Sequence, residues 1–103
     1  MGTVNVLLRV RSGKSEEFLQ AIKSIQNNLR KEAELSKSAL YQDMDDPSVF
    51  YLVHDWATPE SMERFIRSER FSLLMGVFKV LCSESEIKYQ LGADKPGTRI
   101  VEI

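Results

Sequence analysis

The sequence predicts an α+β domain in which one antiparallel sheet carries helices on a single face, and three observations predict it. The spacing of apolar residues switches between a period of 2 and a period of 3.6, in the order strand, helix, strand, strand, helix, strand. Turn chemistry joins the second and third strands at hairpin distance. A helix-start signal follows the third strand directly. The order β-α-β-β-α-β is the split β-α-β, ferredoxin-like pattern: a four-stranded antiparallel sheet with helices on one face. The 103 residues are read as one domain, 1–103, with a core at about 3–91 and a C-terminal turn and short strand or arm at 92–103.

Each element has its own reason. Residues 3–11, TVNVLLRVR, are rich in β-branched side chains. Val4, Val6, Leu8 and Val10 point one way and Asn5, Leu7 and Arg9 the other. Ser12-Gly13 breaks this strand. From Ser15 to about Ala33 the residues Phe18, Ile22, Ile25 and Leu29 share one helical face, with Ser15 as the expected N-cap. A second strand is expected at about 37–43 and a third at about 48–56, with Met44-Asp45-Asp46-Pro47 turning between them. Thr58 as N-cap and Pro59 in the first helical position begin the next helix, which carries Met62, Phe65 and Ile66. Ser68-Glu69 offers a second cap, so this helix is expected to break and restart, with Phe71, Leu74, Met75 and Phe78 as its core stripe. A last long strand is expected at about 85–91, then a turn at Asp94-Lys95-Pro96-Gly97 and a short strand or arm, TRIVEI, paired with its own sheet or with a neighbour's.

Composition excludes several classes. Fourteen Lys and Arg against fifteen Asp and Glu give a net charge of -1, so phosphate backbones and anionic lipid exert no general attraction and no nucleic-acid partner is expected. The lone Cys82 forms no internal disulfide and, in an apolar stretch, reads as a buried structural thiol. One Cys and one His make no zinc site, and Asp43, Asp45 and Asp46 have the spacing of a turn, so no metal is expected. No apolar run is long enough to cross a membrane, the first residues lack the marks of a signal peptide, and Val6 spoils a myristoylation motif. A cytoplasmic protein is the expectation. No nucleotide loop, G-x-S-x-G or H-E-x-x-H occurs.

The chemistry-bearing stretch is FYLVHDWATPES, residues 50–61, which holds the only histidine and the only tryptophan. Strand parity puts Phe50, Leu52, His54 and Trp56 on one face, close to the helix that starts just beyond. These would line an apolar space between sheet and helices, the usual setting of a small-molecule site. Tyr41 on the adjoining strand adds a phenol if its register faces the same way. By residue type alone, a single His at a strand end is more often structural than catalytic, and a single Trp more often a core anchor. Arg64, Arg67, Glu69 and Arg70 read as a solvated helix edge, or, in the sharper version, Arg67 or Arg70 stands at a pocket mouth and meets an anionic substrate. The opposite face of the sheet also carries apolar residues: Leu7, Val49, Tyr51 and Val53. A solvated face should be mostly polar. We therefore expect a second copy of the chain to cover it, sheet against sheet, as a homodimer.

The stretches LYQDMDDPSVFYLVHDW, TPESMERFIRSERFSLLMGVFKVL and SEIKYQL together resemble the antibiotic biosynthesis monooxygenase (ABM) domain over about residues 3–91. The resemblance implies a dimeric α+β barrel with a small pocket between sheet and helices in each subunit. Characterised members include monooxygenases that oxidise quinols or polyketide aromatics without metal or flavin; others degrade haem or isomerise small metabolites. Trp56 matches the family's tryptophan at the end of strand three, which in some members lies at the active site. His54 stands where many relatives carry Glu, Phe65 where many carry His, and Leu52 where one oxygenase subgroup has an amide; the Ser68-x-x-Phe71 pattern is kept. With His54 on a strand, no haem ligand is apparent. The resemblance thus implies a cofactor-independent monooxygenase of a small phenolic or quinol-like substrate. In that reading His54 and Trp56 are catalytic, Leu52, Tyr41, Phe65, Phe71 and Met75 line the pocket, and no cofactor is needed. The alternatives are a non-enzymatic ligand-binding or structural dimer and a small-metabolite isomerase.

Overall fold

The structure is a computed structural model that describes residues 1–91 and 98–102. Its elements are β1 (Gly2–Val10), α1 (Ser15–Leu29), β2 (Leu35–Gln42), β3 (Val49–Trp56), α2 (Pro59–Ile66), α3 (Glu69–Leu81), β4 (Cys82–Leu91) and β5 (Thr98–Glu102). The strands form one antiparallel sheet in the order β2-β3-β1-β4-β5. The first four make the expected ferredoxin-like sheet. The fifth, from the terminal arm, adds to the edge of its own chain's β4. The expected turn at 94–97 lies outside the described residues.

Register decides which side chains meet. Val4 pairs with His54 on one side and Tyr89 on the other, and Ser38 pairs with His54, so Ser38, His54, Val4 and Tyr89 form one row across the helix-facing side. Along β1 the residues Val4, Val6, Leu8 and Val10 are buried, while Leu7 and Arg9 are exposed. α1 lays Phe18, Ile22, Ile25 and Leu29 on this face, and α3 adds Phe71, Leu74, Phe78 and Leu81. Fully burying one such side chain stabilises the fold by about 1.5–3 kcal/mol, so this layer carries most of the hydrophobic driving force. α2 comes close enough that a Cβ added to Gly2 would lie 2.8 Å from the Met62 sulfur, which explains the small residue there.

Three local expectations are corrected. Ser15 is the first helical residue and not the N-cap; the cap position is Lys14, which makes no side-chain cap bond. α1 stops at Leu29, four residues short of Ala33, because the chain turns there to enter β2. β4 begins at Cys82, which both caps α3 and pairs with Val10, so no loop separates helix from strand. The caps at the other helices stand as expected. The Thr58 hydroxyl accepts from the Ser61 N–H at 3.1 Å, and the Ser61 hydroxyl accepts from the Thr58 N–H at 3.2 Å. The Ser68 hydroxyl accepts from the Phe71 N–H at 3.3 Å and begins α3 where α2 stops.

Candidate functional site

β3 ends on Trp56, and the capping box at Thr58 folds α2 back over it. This brings the Phe65 ring onto two aromatic groups of β3. The Trp56 and Phe65 rings stack with centroids 4.9 Å apart, and His54 meets Phe65 edge-on at 5.5 Å. Phe65 also meets Phe71 edge-on at 5.3 Å, and Phe71 lies 6.3 Å from Tyr89. The cluster therefore joins β3, α2, α3 and β4.

Two polar atoms inside this cluster have no partner among the described residues: His54 Nε2 and Trp56 Nε1. Both residues are almost fully buried, at 1% and 4% exposure. A buried donor or acceptor without a bond costs about 1–3 kcal/mol, so two side by side are a candidate for ligand contact. Burial pushes the His54 imidazole down to about 4, with neighbouring Asp55 opposing only weakly, so it is neutral at pH 7.

Beside the cluster opens a cavity of about 650 Å³, lined by Trp56 and Phe65 together with Leu29, Ala33, Ser61 and Ser68. Its mouth carries Glu32 and Glu34 from the α1–β2 loop and Arg64, Glu69 and Arg70 from the helices. Two ion pairs cross that mouth. Arg64 lies 3.4 Å from Glu34, and Arg70 donates to Glu32.

The expected site residues separate into three groups. Trp56 and Phe65 line the cavity. Leu52, His54, Phe71 and Met75 lie in the packed layer between sheet and helices and are not among its lining residues. Tyr41 is on the other side of the sheet: it pairs with Tyr51 and is 48% exposed, so its phenol does not face His54. Positions 54 and 65, where the resemblance marks departures, prove to be in ring contact. Arg70 stands at the mouth, Arg64 joins it, and Arg67 does not line the cavity. Leu29, Glu32 and Glu34 were invisible as site residues in the sequence, since only long-range folding brings the end of α1 and the loop after it to the cavity that α2 and α3 also line. Among the described residues no cluster of His, Cys, Asp and Glu could hold a metal ion. Asp43 instead accepts from the backbone N–H groups of Asp45 and Asp46, an ordinary turn. Cys82 is buried, and its thiol is pushed up to about 11.

A ferredoxin-like sheet with an aromatic-walled cavity under its helices defines a class of small α+β pocket proteins. The chain belongs to the antibiotic biosynthesis monooxygenase family, whose model matches residues 1–75. Solved structures share the fold at low identity. A conserved protein from Methanosarcina mazei Go1 superposes with a TM-score of 0.79 at 23% identity, over 87% of this chain and 90% of that one. PA3566 from Pseudomonas aeruginosa gives 0.74 at 21% identity, over 88% and 92%. A mutant of SnoaB, a cofactor-independent oxygenase from Streptomyces nogalater, gives 0.76 at 13% identity, over 91% and 94%. No curated protein matches the sequence. Among the described residues no helix is long and apolar enough to cross a membrane.

Proposed function

We propose that this chain is a cofactor-independent monooxygenase of a small phenolic or quinol-like substrate, bound against Trp56 and Phe65, and that it works as a sheet-to-sheet homodimer. The observation that carries the reading is Trp56 in the wall of an aromatic-lined cavity, stacked on Phe65, with a buried indole N–H that has no partner among the described residues. A small turn of the indole or of the Phe65 ring offers that desolvated donor to a substrate oxygen. Membership of the family and the likeness to an oxygenase support the same reading.

The chemistry asks little of the protein. A phenol gives up its proton, the phenolate passes an electron to O2, and the radical pair recombines on the ring. Loss of water then leaves a quinone, so that phenol plus O2 becomes quinone plus water. The protein positions the ring, excludes water and stabilises the oxyanion. His54 is the one imidazole available as base, and its neutral form can accept. Transfer from a phenol near ~10 to an imidazole near about 4 is uphill by ~8 kcal/mol. A turnover of ~10 per second allows a total barrier of ~16 kcal/mol. The transfer fits only if Trp56 steadies the phenolate and Phe65 turns aside to let His54 reach it.

Oxygen uptake with a panel of quinols tests the reading. Trp56→Phe, which keeps the wall and deletes the donor, should lower kcat by about 10²-fold. His54→Gln should lower it as well while the fold survives. Unchanged turnover in both variants would remove these residues from the mechanism. The second reading is a ligand-binding dimer without turnover, and the position of His54 behind the Phe65 ring favours it. In that case the same compounds raise the melting temperature and consume no oxygen.

A further inference from the structure

We propose that the pocket selects an aromatic ring bearing a carboxylate, with the ring on Trp56 and Phe65 and the carboxylate taken by Arg70 and Arg64 at the mouth; this rests on the pocket reading above. The groups that line the cavity fall into an apolar floor and a charged rim. The floor is Leu29, Ala33, Trp56 and Phe65. The rim holds three acids and two bases, a net charge of -1, so charge alone does not choose the ligand. Hydrogen-bonding capacity does.

Behind that floor the Trp56 Nε1–H, a donor, is buried without a partner among the described residues. Each guanidinium has five donor hydrogens and spends few of them on its glutamate. The first turn of α3 lines the same mouth through Ser68, Glu69 and Arg70. A helix start leaves N–H groups without intrahelical acceptors and carries partial positive charge. The Ser68 hydroxyl takes the N–H of Phe71. The unspent donors of Arg70 and Arg64 stand at the rim above an aromatic floor, beside the positive end of α3, and a carboxylate-bearing ring is the ligand that uses both floor and rim.

The loop glutamates hold the arginines in the absence of such a ligand. Both pairs are solvent-exposed, with side-chain exposures of 72% and 47% in one and 45% and 47% in the other. Exposed pairs of this kind contribute little to stability. An incoming carboxylate can therefore replace Glu32 or Glu34 as the arginine's partner. The loop backbone need not move. It is held by the Ala57 N–H on the Glu34 carbonyl at 2.8 Å and by the Glu32 N–H on the Leu29 carbonyl at 2.9 Å.

The test compares 4-hydroxybenzoate with 4-hydroxybenzamide, which share ring and phenol and differ in the charge. Affinities come from calorimetry and from quenching of Trp56, the chain's only tryptophan. The acid should bind about tenfold tighter than the amide, as a charge-assisted pair does over a neutral one. Added salt should erode the preference. Arg70→Gln should remove most of it, and Arg70→Lys, which keeps the charge without the fork, should remove part. Glu32→Gln, which releases Arg70, should strengthen acid binding severalfold; weaker binding in that variant overturns the exchange. Equal affinities for acid and amide overturn this inference and leave the pocket standing. No binding by either compound, with Trp56 emission unchanged, overturns the inference and the pocket reading together. The substituted side chains are exposed, and a melting curve for each variant shows that it folds.

Discussion

An imidazole sealed under an aromatic ring without a partner is a pH-dependent element of stability. His54 is held at about 4 in the folded chain by burial, against about 6.5 for an ordinary histidine. The unfolded chain therefore takes up the proton first as pH falls. The contribution is fully present above about 6.5 and is lost as pH falls through about 4. The gap is worth ~3 kcal/mol, a large share of the ~5–15 kcal/mol a domain has. Urea melts at fixed protein concentration should thus show stability dropping by about that amount between pH ~7 and pH ~4. His54→Leu, close in size and unable to titrate, should flatten the curve in this window. A wild-type curve equally flat would mean that the imidazole is hydrated or bonded in solution. Asp46 titrates lower: bonds from Ser48, then Arg9, hold it at about 2, so its contribution is present above about 3.8 and disappears only below His54's window. Strand parity was enough to place His54 and Trp56 together beneath the helices, because a period of 2 admits no slip. The same rule placed Tyr41 outside once its partner was known. Nothing in the sequence states that its partner is Tyr51 and not a neighbour, since hairpin register depends on the turn at 43–48.

At the scale of elements, a start signal is worth only the hydrogen bond it makes. Thr58 and Ser68 each satisfy a helix N–H, and Ser15 does not. Thr58→Ala and Ser68→Ala should each cost about 1 kcal/mol, within a range of 0.5–2. Ser15→Ala should be neutral or slightly stabilising, because alanine is the better residue inside a helix. Denaturant melts of the three variants check this, and a Ser15→Ala cost equal to the other two would restore the cap reading. The difference was not legible, since Ser15 and Ser68 have the same chemistry before a similar apolar run. What separates them is the approach of the preceding chain. Before α1 the turn runs through Gly13, at φ of 76°, and the Lys14 N–H bonds to the Arg11 carbonyl at 3.0 Å, which carries the helix start one residue back. The break between α2 and α3, by contrast, was readable at Ser68. That break aims the first turn of α3 at the cavity. The end of α1 and the glutamates of the loop after it complete the cavity from the far side, and no local pattern reports a contact made across thirty to forty positions.

At the scale of the whole molecule, the outer face of the sheet presents apolar side chains to solvent. Leu7, Tyr41 and Tyr51 are 39%, 48% and 40% exposed there, with Val53 half-buried among them. A domain of this size gains a limited core of its own, so an apolar face left to water would be a standing cost. The face is not uniform. At one end Arg9 bridges Asp46 at 2.8 Å and Glu84 at 3.4 Å, beside a cleft of about 570 Å³ whose rim includes Asp43 and Glu86. Toward the other end Lys37 sits over the Tyr41 ring and opposite Asp55, and Lys88 lies 3.9 Å from Glu86. Acid and base stand together at both ends, so the apolar middle is the part that a twin would cover. On the proposed homodimer, Leu7→Lys is the informative change. Leu7 pairs with Glu86 across the sheet, so the monomer can accept the new ammonium beside that carboxylate. A twofold interface meets the charge twice and has to desolvate both copies. Sedimentation should show a dimer for the wild type at micromolar concentration and a dissociation constant raised by about 100-fold or more in the variant. The melting temperature should fall with it and become steeply dependent on protein concentration. The helix-side cavity is built from one chain, so the separated variant should still bind a ligand that the wild type binds. A wild-type chain that sediments as a monomer would leave this face solvated and remove the dimer from the proposed function, without touching the pocket beneath the helices.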